Sequence, residues 1–367
     1  VAHELERWAG QAVEGHFSGT IPWADYGEPA AMLAGRLVGA QPGEAVMMNG
    51  LTANLHAMLA TFWQPQGRRR KILIERGAFP SDRHAVRSHI GFRGFDPDEV
   101  LVEVGPAWAD DVLAEGELEA VVEGLGEDLA LVVLPGVQFR TGQALDVRRL
   151  TAAAHEVGAL AGWDMAHAAG NLGLALHDDG ADFAVWCSYK YLNSGPGSVG
   201  GCFVHSRHHG RDLPRMAGWW GHRPDTRFAM APDFDPSPDA RGWQLSNVPV
   251  LCTAPFLVSA TLFDHVGMET LRARGQWLHS RLRLAVQDAC GGRVHFVTPA
   301  TEGEHGCQLT LRVQAPVRQV QTLLREAGIV CDVRTPDLIR VAAVPHYNLA
   351  RDVDEFAVAL RAALDRC

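Results

Sequence analysis

Six short apolar runs, at 71–75, 100–104, 129–134, 159–163, 183–186 and 202–204, punctuate the middle of the chain. Between several of them the hydrophobic positions recur every three to four residues instead, as over 146–157. Short runs with little polar alternation predict strands buried on both faces, and the helical spacing between them predicts crossover helices. Together they imply an α/β unit with a mostly parallel sheet covered by helices. Such a sheet takes ligands at the carboxyl ends of its strands. A polar, proline-rich stretch at 221–241 breaks the pattern, and a long helical region follows from about 250 to 289. Beyond it, short strands at 294–297, 308–313, 329–333 and 338–342 with helices near 317–326 and 353–364 read as a smaller α+β unit. The expected division is an N-terminal segment and large domain over 1–250, a helical connector over 251–289 and a small domain over 290–367.

Composition narrows the class. With 367 residues and 47% apolar content the chain can bury a large core in two domains. A formal net charge of −10 disfavours nucleic acid or an anionic membrane as principal partner. The seven cysteines are scattered, odd in number and without a C-x-x-C pair, as in a reduced cytoplasmic enzyme. No run reaches membrane-span length and no signal-peptide pattern is present. The chain opens on Val1 rather than methionine, as a trimmed or partly shown chain does.

Two residues at strand ends carry the chemistry. Asp164, in Gly162-Trp163-Asp164-Met165-Ala166-His167, closes one apolar run, and Lys190, in Trp186-Cys187-Ser188-Tyr189-Lys190-Tyr191, follows the next but 26 residues later. An acid and a lysine so placed suit pyridoxal 5'-phosphate (PLP): the amine forms an imine with the cofactor aldehyde and the carboxylate keeps the ring nitrogen protonated. Read singly, Lys190 is an ordinary lysine and Asp164 a helix N-cap. The aromatic neighbours of Lys190 favour the neutral amine that imine formation needs.

Other residues join this edge. Asn49-Gly50-Leu51-Thr52 opens a helical pattern over 51–62, where the amides of Leu51 and Thr52 and the Thr52 hydroxyl suit a phosphate or a plain cap. In Phe79-Pro80-Ser81-Asp82, Phe79 can cover a planar ring while Ser81 or Asp82 caps a helix. Arg340 sits inside an apolar strand and needs an anion, either an internal acid or a substrate carboxylate. Gly195-Pro196-Gly197-Ser198-Val199-Gly200 matches G-x-G-x-x-G, but a strand-like run follows it, so it is read as a turn and not a dinucleotide site. The 17 histidines show no metal-ligand spacing, and His208-His209 is expected as a surface pair. No metal is expected.

These motifs, with Gly218-Trp219-Trp220-Gly221-His222, Ser246-Asn247-Val248-Pro249 and Arg340-Val341-Ala342-Ala343-Val344-Pro345, resemble the kynureninase family of fold-type-I PLP enzymes from about His16 onward. The resemblance implies a seven-stranded type of large-domain sheet and a homodimer with shared sites. It implies that Lys190 holds the cofactor, Asp164 pairs with its ring nitrogen, Leu51, Thr52 and Tyr189 meet its phosphate, Phe79 stacks on its ring, and Asp82 and His167 line it. Trp219 and Asn247 match positions that reach in from the neighbouring subunit. Arg340 matches the substrate-carboxylate arginine, and His16, Trp220, Ser246 and Asn247 surround the substrate ring. The implied reaction is hydrolysis of the Cβ–Cγ bond of L-kynurenine or 3-hydroxy-L-kynurenine to L-alanine and an anthranilate, with Tyr189 as an acid or base. The His16 and Ser246-Asn247 combination resembles members preferring the 3-hydroxylated substrate.

Two departures stand out. No Asp-x-Asn-Ser-Leu-Gly segment precedes His16, and Pro135 stands where the family has a Ser or Thr, so one cofactor contact is lost or replaced. The rival readings are a cysteine desulfurase, an aminotransferase, or a catalytically silent PLP-binding protein. A desulfurase needs a mobile cysteine, and Cys187 is expected to be packed.

Overall fold

The computed structural model describes residues 1–106 and 112–367. Packing divides it into two units. The first comprises Val1–Gly105, Glu115–Gly136 and Asp146–Val266; the second holds Val137–Leu145 and Gly267–Cys367 with the described part of 106–114.

The first unit is built on seven strands: β1 (Ala45–Met47), β2 (Lys71–Glu75), β3 (Leu101–Val104), β4 (Leu129–Pro135), β5 (Leu160–Asp164), β6 (Phe183–Cys187) and β7 (Gly200–Val204). Their order across the sheet is β1-β7-β6-β5-β4-β2-β3. The pairs β2–β3, β2–β4, β4–β5 and β5–β6 are parallel, and β7 runs antiparallel to both β6 and β1. The fold is therefore the mostly parallel, helix-covered sheet that the apolar runs implied. β1 was not anticipated: three residues are too few to show a pattern.

The antiparallel return has a local cause. Parallel neighbours need a crossover, usually helical, and residues 188–199 form only turns, with Gly195 and Gly197 at φ 80° and 73°. The G-x-G-x-x-G match is thus a turn feeding β7. Lys190 lies in this return loop, just past the carboxyl end of β6.

β6 is held by aromatic rings set over glycines. Phe183 pairs across from Gly162 of β5, and Trp186 from Gly201 of β7. A Cβ on Gly162 would come within 2.0 Å of the Phe183 ring, and one on Gly201 within 2.2 Å of the Trp186 ring. Phe183 also stacks on Phe62 at 5.0 Å, from the helix Leu51–Phe62. The strand carrying the Lys190 loop is therefore locked to both neighbours and to that helix by close packing, which tolerates little change in volume.

The second unit has an antiparallel sheet of β8 (Val294–Phe296), β9 (Gln308–Val313), β10 (Asp332–Arg334) and β11 (Leu338–Ala342) in the order β10-β11-β9-β8. Its core joins Leu278 and Leu282 to Leu309, Leu311, Ile339 and Leu360. The loop Val137–Leu145 packs here, with Gln308 Nε2 donating to the Phe139 carbonyl at 3.1 Å and Thr310 Oγ1 to the Arg140 carbonyl at 2.6 Å. The stretch expected as one connector is two helices, Val250–Val266 and Met268–Cys290, separated by Gly267 at φ 84° and assigned to different units. Two N-terminal helices, Ala2–Gln11 and Gly27–Val38, were not anticipated; the first buries only Glu4, while the second buries Ala30, Leu33, Ala34, Leu37 and Val38 at helical spacing. Among the described residues no single helix is long and apolar enough to cross a membrane.

Candidate active site

The strand ends bring a first set of side chains together. Asp164, the last residue of β5, accepts a hydrogen bond from the Ala166 amide at 2.7 Å, so it does cap the turn that follows, while also facing Asp82. Asp82 lies in the first turn of the helix Pro80–Phe92 that follows β2, and is buried. Burial and the Asp164 carboxylate, which hydrogen-bonds it, hold the Asp82 carboxyl well above its usual range, and Lys190 acts against them. Asp164 and Lys190, from two different strand ends, thus act on one buried group. The Lys190 Nζ lies 5.4 Å from the centre of the Phe79 ring. His167 meets Tyr191 edge to face at 5.8 Å. Thr52 and Ser81 share a hydroxyl–hydroxyl bond of 2.5 Å, linking the starts of the helices after β1 and β2.

The local electrostatics separate two residues beside the lysine. Burial, then the neighbouring Cys187, push the Tyr189 hydroxyl up to about 12, so it is protonated at neutral pH. Cys187 is buried in β6 and its thiol is raised by that burial. A neutral, packed thiol is a poor nucleophile, which removes the residue on which a desulfurase reading would depend.

A second set lies elsewhere in the same unit. His16, Trp219, Trp220, Ser246 and Asn247 line one cavity of about 450 Å³, whose lining does not include Lys190 or Asp164. His16 sits edge-on to Trp23 at 5.4 Å, and Asn247 Nδ2 donates to the Trp23 carbonyl at 2.9 Å. Asn247 Oδ1 is buried without a partner, an acceptor suited to a ligand donor. Trp219 is 48% exposed and Phe17 at the cavity wall 68%.

Arg340 of β11 lies in the second unit, directly across from Asp332 of β10. Its Nε and Nη2 reach Asp332 Oδ2 at 2.6 and 2.5 Å, and Nη1 donates to the Phe139 carbonyl. Of the two anions the sequence left open for it, the internal acid is the one observed.

His208-His209 is not a surface pair. His208 is buried with Nε2 at 2.7 Å from Asp182 Oδ1, and His209 Nε2 lies 2.9 Å from the Val204 carbonyl. Only tertiary contact could reveal this, because Asp182 is 26 residues away. Glu44, His177 and His205 also converge, with ligand atoms all within 4.8 Å. Their lone pairs are already engaged: Glu44 Oε1 accepts from the Ser206 amide at 2.7 Å, and His205 Nδ1 from the Arg207 amide at 3.2 Å. The coupling of Asp82 to Asp164 was likewise invisible, since nothing local links residues so far apart.

The first set fits PLP chemically. It offers an amine, a carboxylate beside a buried carboxyl whose Oδ1 has no partner, an aromatic ring near the amine, and a hydroxyl pair beside an uncapped helix start. The aminotransferase class-V family matches residues 36–217. A solved structure of C-DES with glycine covalently linked to its PLP cofactor is similar with a TM-score of 0.78 at 16% identity, over 97% of this chain and 92% of its own. An apo cysteine desulfurase from Thermococcus onnurineus NA1 reaches a TM-score of 0.77 at 14% identity, over 99% and 91%. At those identities the likeness is of fold. Fold and site together define a PLP-dependent enzyme of fold type I. The kynureninase C-terminal domain family matches residues 271–360, and the kynureninase of Xanthomonas campestris pv. campestris is 50% identical over 358 residues, covering 97% of this chain and 84% of its own. The chain belongs to the kynureninase family, whose members are PLP-dependent C–C hydrolases.

Proposed function

We propose that this protein hydrolyses the Cβ–Cγ bond of L-kynurenine and 3-hydroxy-L-kynurenine, giving L-alanine and anthranilate or 3-hydroxyanthranilate, with the 3-hydroxylated substrate preferred. The observation that carries the reading is the convergence of Asp164 and Lys190 on Asp82 within a chain of this family.

Bound here, PLP supplies an electron sink for the pair released when a bond at the substrate α-carbon breaks. Lys190 tethers it and, once freed, carries the α-proton on Nζ. Asp164 holds the proton on the ring nitrogen. Asp82, kept neutral, donates its proton toward Asp164 and steadies that carboxylate. Leu51, Thr52 and Tyr189 hold the phosphate, Phe79 covers the ring, and His167 lines it. With its hydroxyl at about 12, Tyr189 hands over a proton near neutral pH and does not take one.

Arg340 takes the substrate carboxylate, exchanging or sharing its hold on Asp332. His16, Trp220, Ser246 and Asn247 surround the substrate ring. The unpartnered Asn247 Oδ1 supports the 3-hydroxyl preference, because a buried acceptor left without a donor is costly when the hydroxyl is missing. We further propose a cytoplasmic homodimer in which Trp219 and Asn247 complete the neighbouring subunit's site. The separation of the two sets of residues within one chain and the exposed apolar rim of the second support it.

The test is an absorbance spectrum of the purified protein, then addition of each kynurenine. A visible imine band that borohydride removes, with fluorescent anthranilate released, is expected. Pyruvate from alanine without anthranilate would instead assign a transaminase. No turnover at all would leave a silent PLP-binding protein.

A further inference from the structure

The polar stretch 221–241 that interrupts the sequence pattern carries a buried cation. Arg227 is only 7% exposed, and among the described residues no carboxylate lies within ion-pair distance of it. Its Nε is buried without a partner. The guanidinium carbon lies 4.3 Å from the centre of the Trp220 ring. Nη2 donates to the carbonyls of Trp220 at 2.8 Å and His222 at 3.1 Å, while the Arg227 carbonyl accepts from Trp219 Nε1 at 3.1 Å. The next residue, Phe228, packs edge-on to Trp219 at 5.5 Å and to Phe17 at 6.1 Å.

Burying a guanidinium without a counter-ion is costly, and an apolar side chain would fill the space at lower cost. The charge is therefore retained for what it does to the Trp220 ring it touches. A cation against one face of an indole draws the π-electrons toward itself. The ring then becomes a better stacking partner for an electron-rich arene than for an electron-poor one.

We infer that Arg227 is a specificity-determining positioning residue, which fixes Trp219 and Trp220 and biases the aromatic cavity toward amino-substituted, electron-rich aryl rings. The inference rests on the proposed kynurenine-cleaving function for its kinetic readout, but the binding readout is independent of it.

Kinetics of Arg227→Met and Arg227→Lys are compared with wild type on L-kynurenine and on β-benzoyl-L-alanine, which lacks the ring amine. In the methionine variant KM for kynurenine should rise about tenfold, the scale of one lost charge-assisted contact, while KM for β-benzoyl-L-alanine changes less than about threefold. The absorbance of the bound cofactor and kcat on kynurenine should stay near wild type. Arg227→Lys, which keeps the charge without the planar fork, should fall between. A purely structural role would raise both KM values together or lower cofactor loading, and either result overturns the inference. Should the variants fail to fold, tryptophan quenching of wild-type holoenzyme by anthranilate and by benzoate decides: clearly tighter anthranilate binding supports it, and equal binding overturns it. If wild type cleaves neither kynurenine, the proposed function falls, while this titration still tests the cavity.

Discussion

Asp82 and Asp164 face each other carboxyl to carboxyl, and burial together with the Asp164 charge holds the Asp82 carboxyl well above its usual range. The arrangement pairs a carboxylate suited to a ring nitrogen with a neutral acid that has no other buried partner on its Oδ1.

A pH signature follows from this pair. Folding favours the protonated form of an acid whose folded value is raised, as burial and Asp164 raise that of Asp82. The associated stability is complete below the unfolded value of about 3.9 and is lost as pH rises through the folded one. Asp82→Asn is neutral at every pH, so its thermal midpoint in the apoprotein should gain on wild type as pH rises above about 4. Parallel midpoints across that range would show that Asp82 is not held neutral.

Lys190→Ala should abolish the borohydride-sensitive band and lower turnover by about a thousandfold or more, because both tether and proton carrier are lost. The variant should still fold, since Lys190 lies in a loop and fills no core position. Retained turnover at a tenth of wild type or above, on the order of one proton-transfer residue or less, would move the chemistry to another residue.

Shared sites are tested by mixing subunits. Lys190→Ala and Trp219→Ala, each inactive alone, should recover about one quarter of wild-type activity when unfolded and refolded together, because each mixed pair holds one intact site. No recovery, with mixed dimers confirmed by mass, would place Trp219 in its own subunit's site.

The small unit has its own acid sensitivity. His279 is buried and stacked on His305 at 3.8 Å. Burial, then His305, Arg283 and Arg272, lower it to about 3. A histidine with a depressed folded value contributes full stability above its unfolded value of about 6.5 and loses it as pH falls toward the folded one. Within that window each pH unit costs about 1.4 kcal/mol per histidine. His279→Phe keeps a ring but no proton site, so the slope of urea stability against pH should flatten by about one proton between pH 6.5 and 4.5. An unchanged slope would assign the acid limb to other groups.

The legible part of this protein was local. Strands β2 and β4 to β7 announced themselves as apolar runs because both of their faces are largely buried, and β3 did so although most of it is only partly buried; the strand-like run after Gly200 separated a turn from a dinucleotide loop. Asp164 and Lys190 could be read because each follows its own strand, and parallel strands deliver their ends to one edge. β1 and the helix Ala2–Gln11 stayed hidden because a three-residue strand and a helix that buries one glutamate carry no periodic signal, whereas Gly27–Val38 went unread although it buries Ala30, Leu33, Ala34, Leu37 and Val38 at helical spacing.

The order of residues along the chain therefore determined the layered architecture, the cofactor-binding lysine and its acid as candidates, and the family to which they belong. Tertiary structure alone decided that Asp82 faces Asp164, that Asp332 holds Arg340, that His208 is buried against Asp182, and that a buried Arg227 lies against the Trp220 ring. The physical reason is the same in each case. Burial and charge act through space at a few ångströms, and composition and periodicity carry no record of such contacts, whether the partners lie far apart in sequence, as Asp82 and Asp164 or Asp182 and His208 do, or close, as Asp332 and Arg340 do.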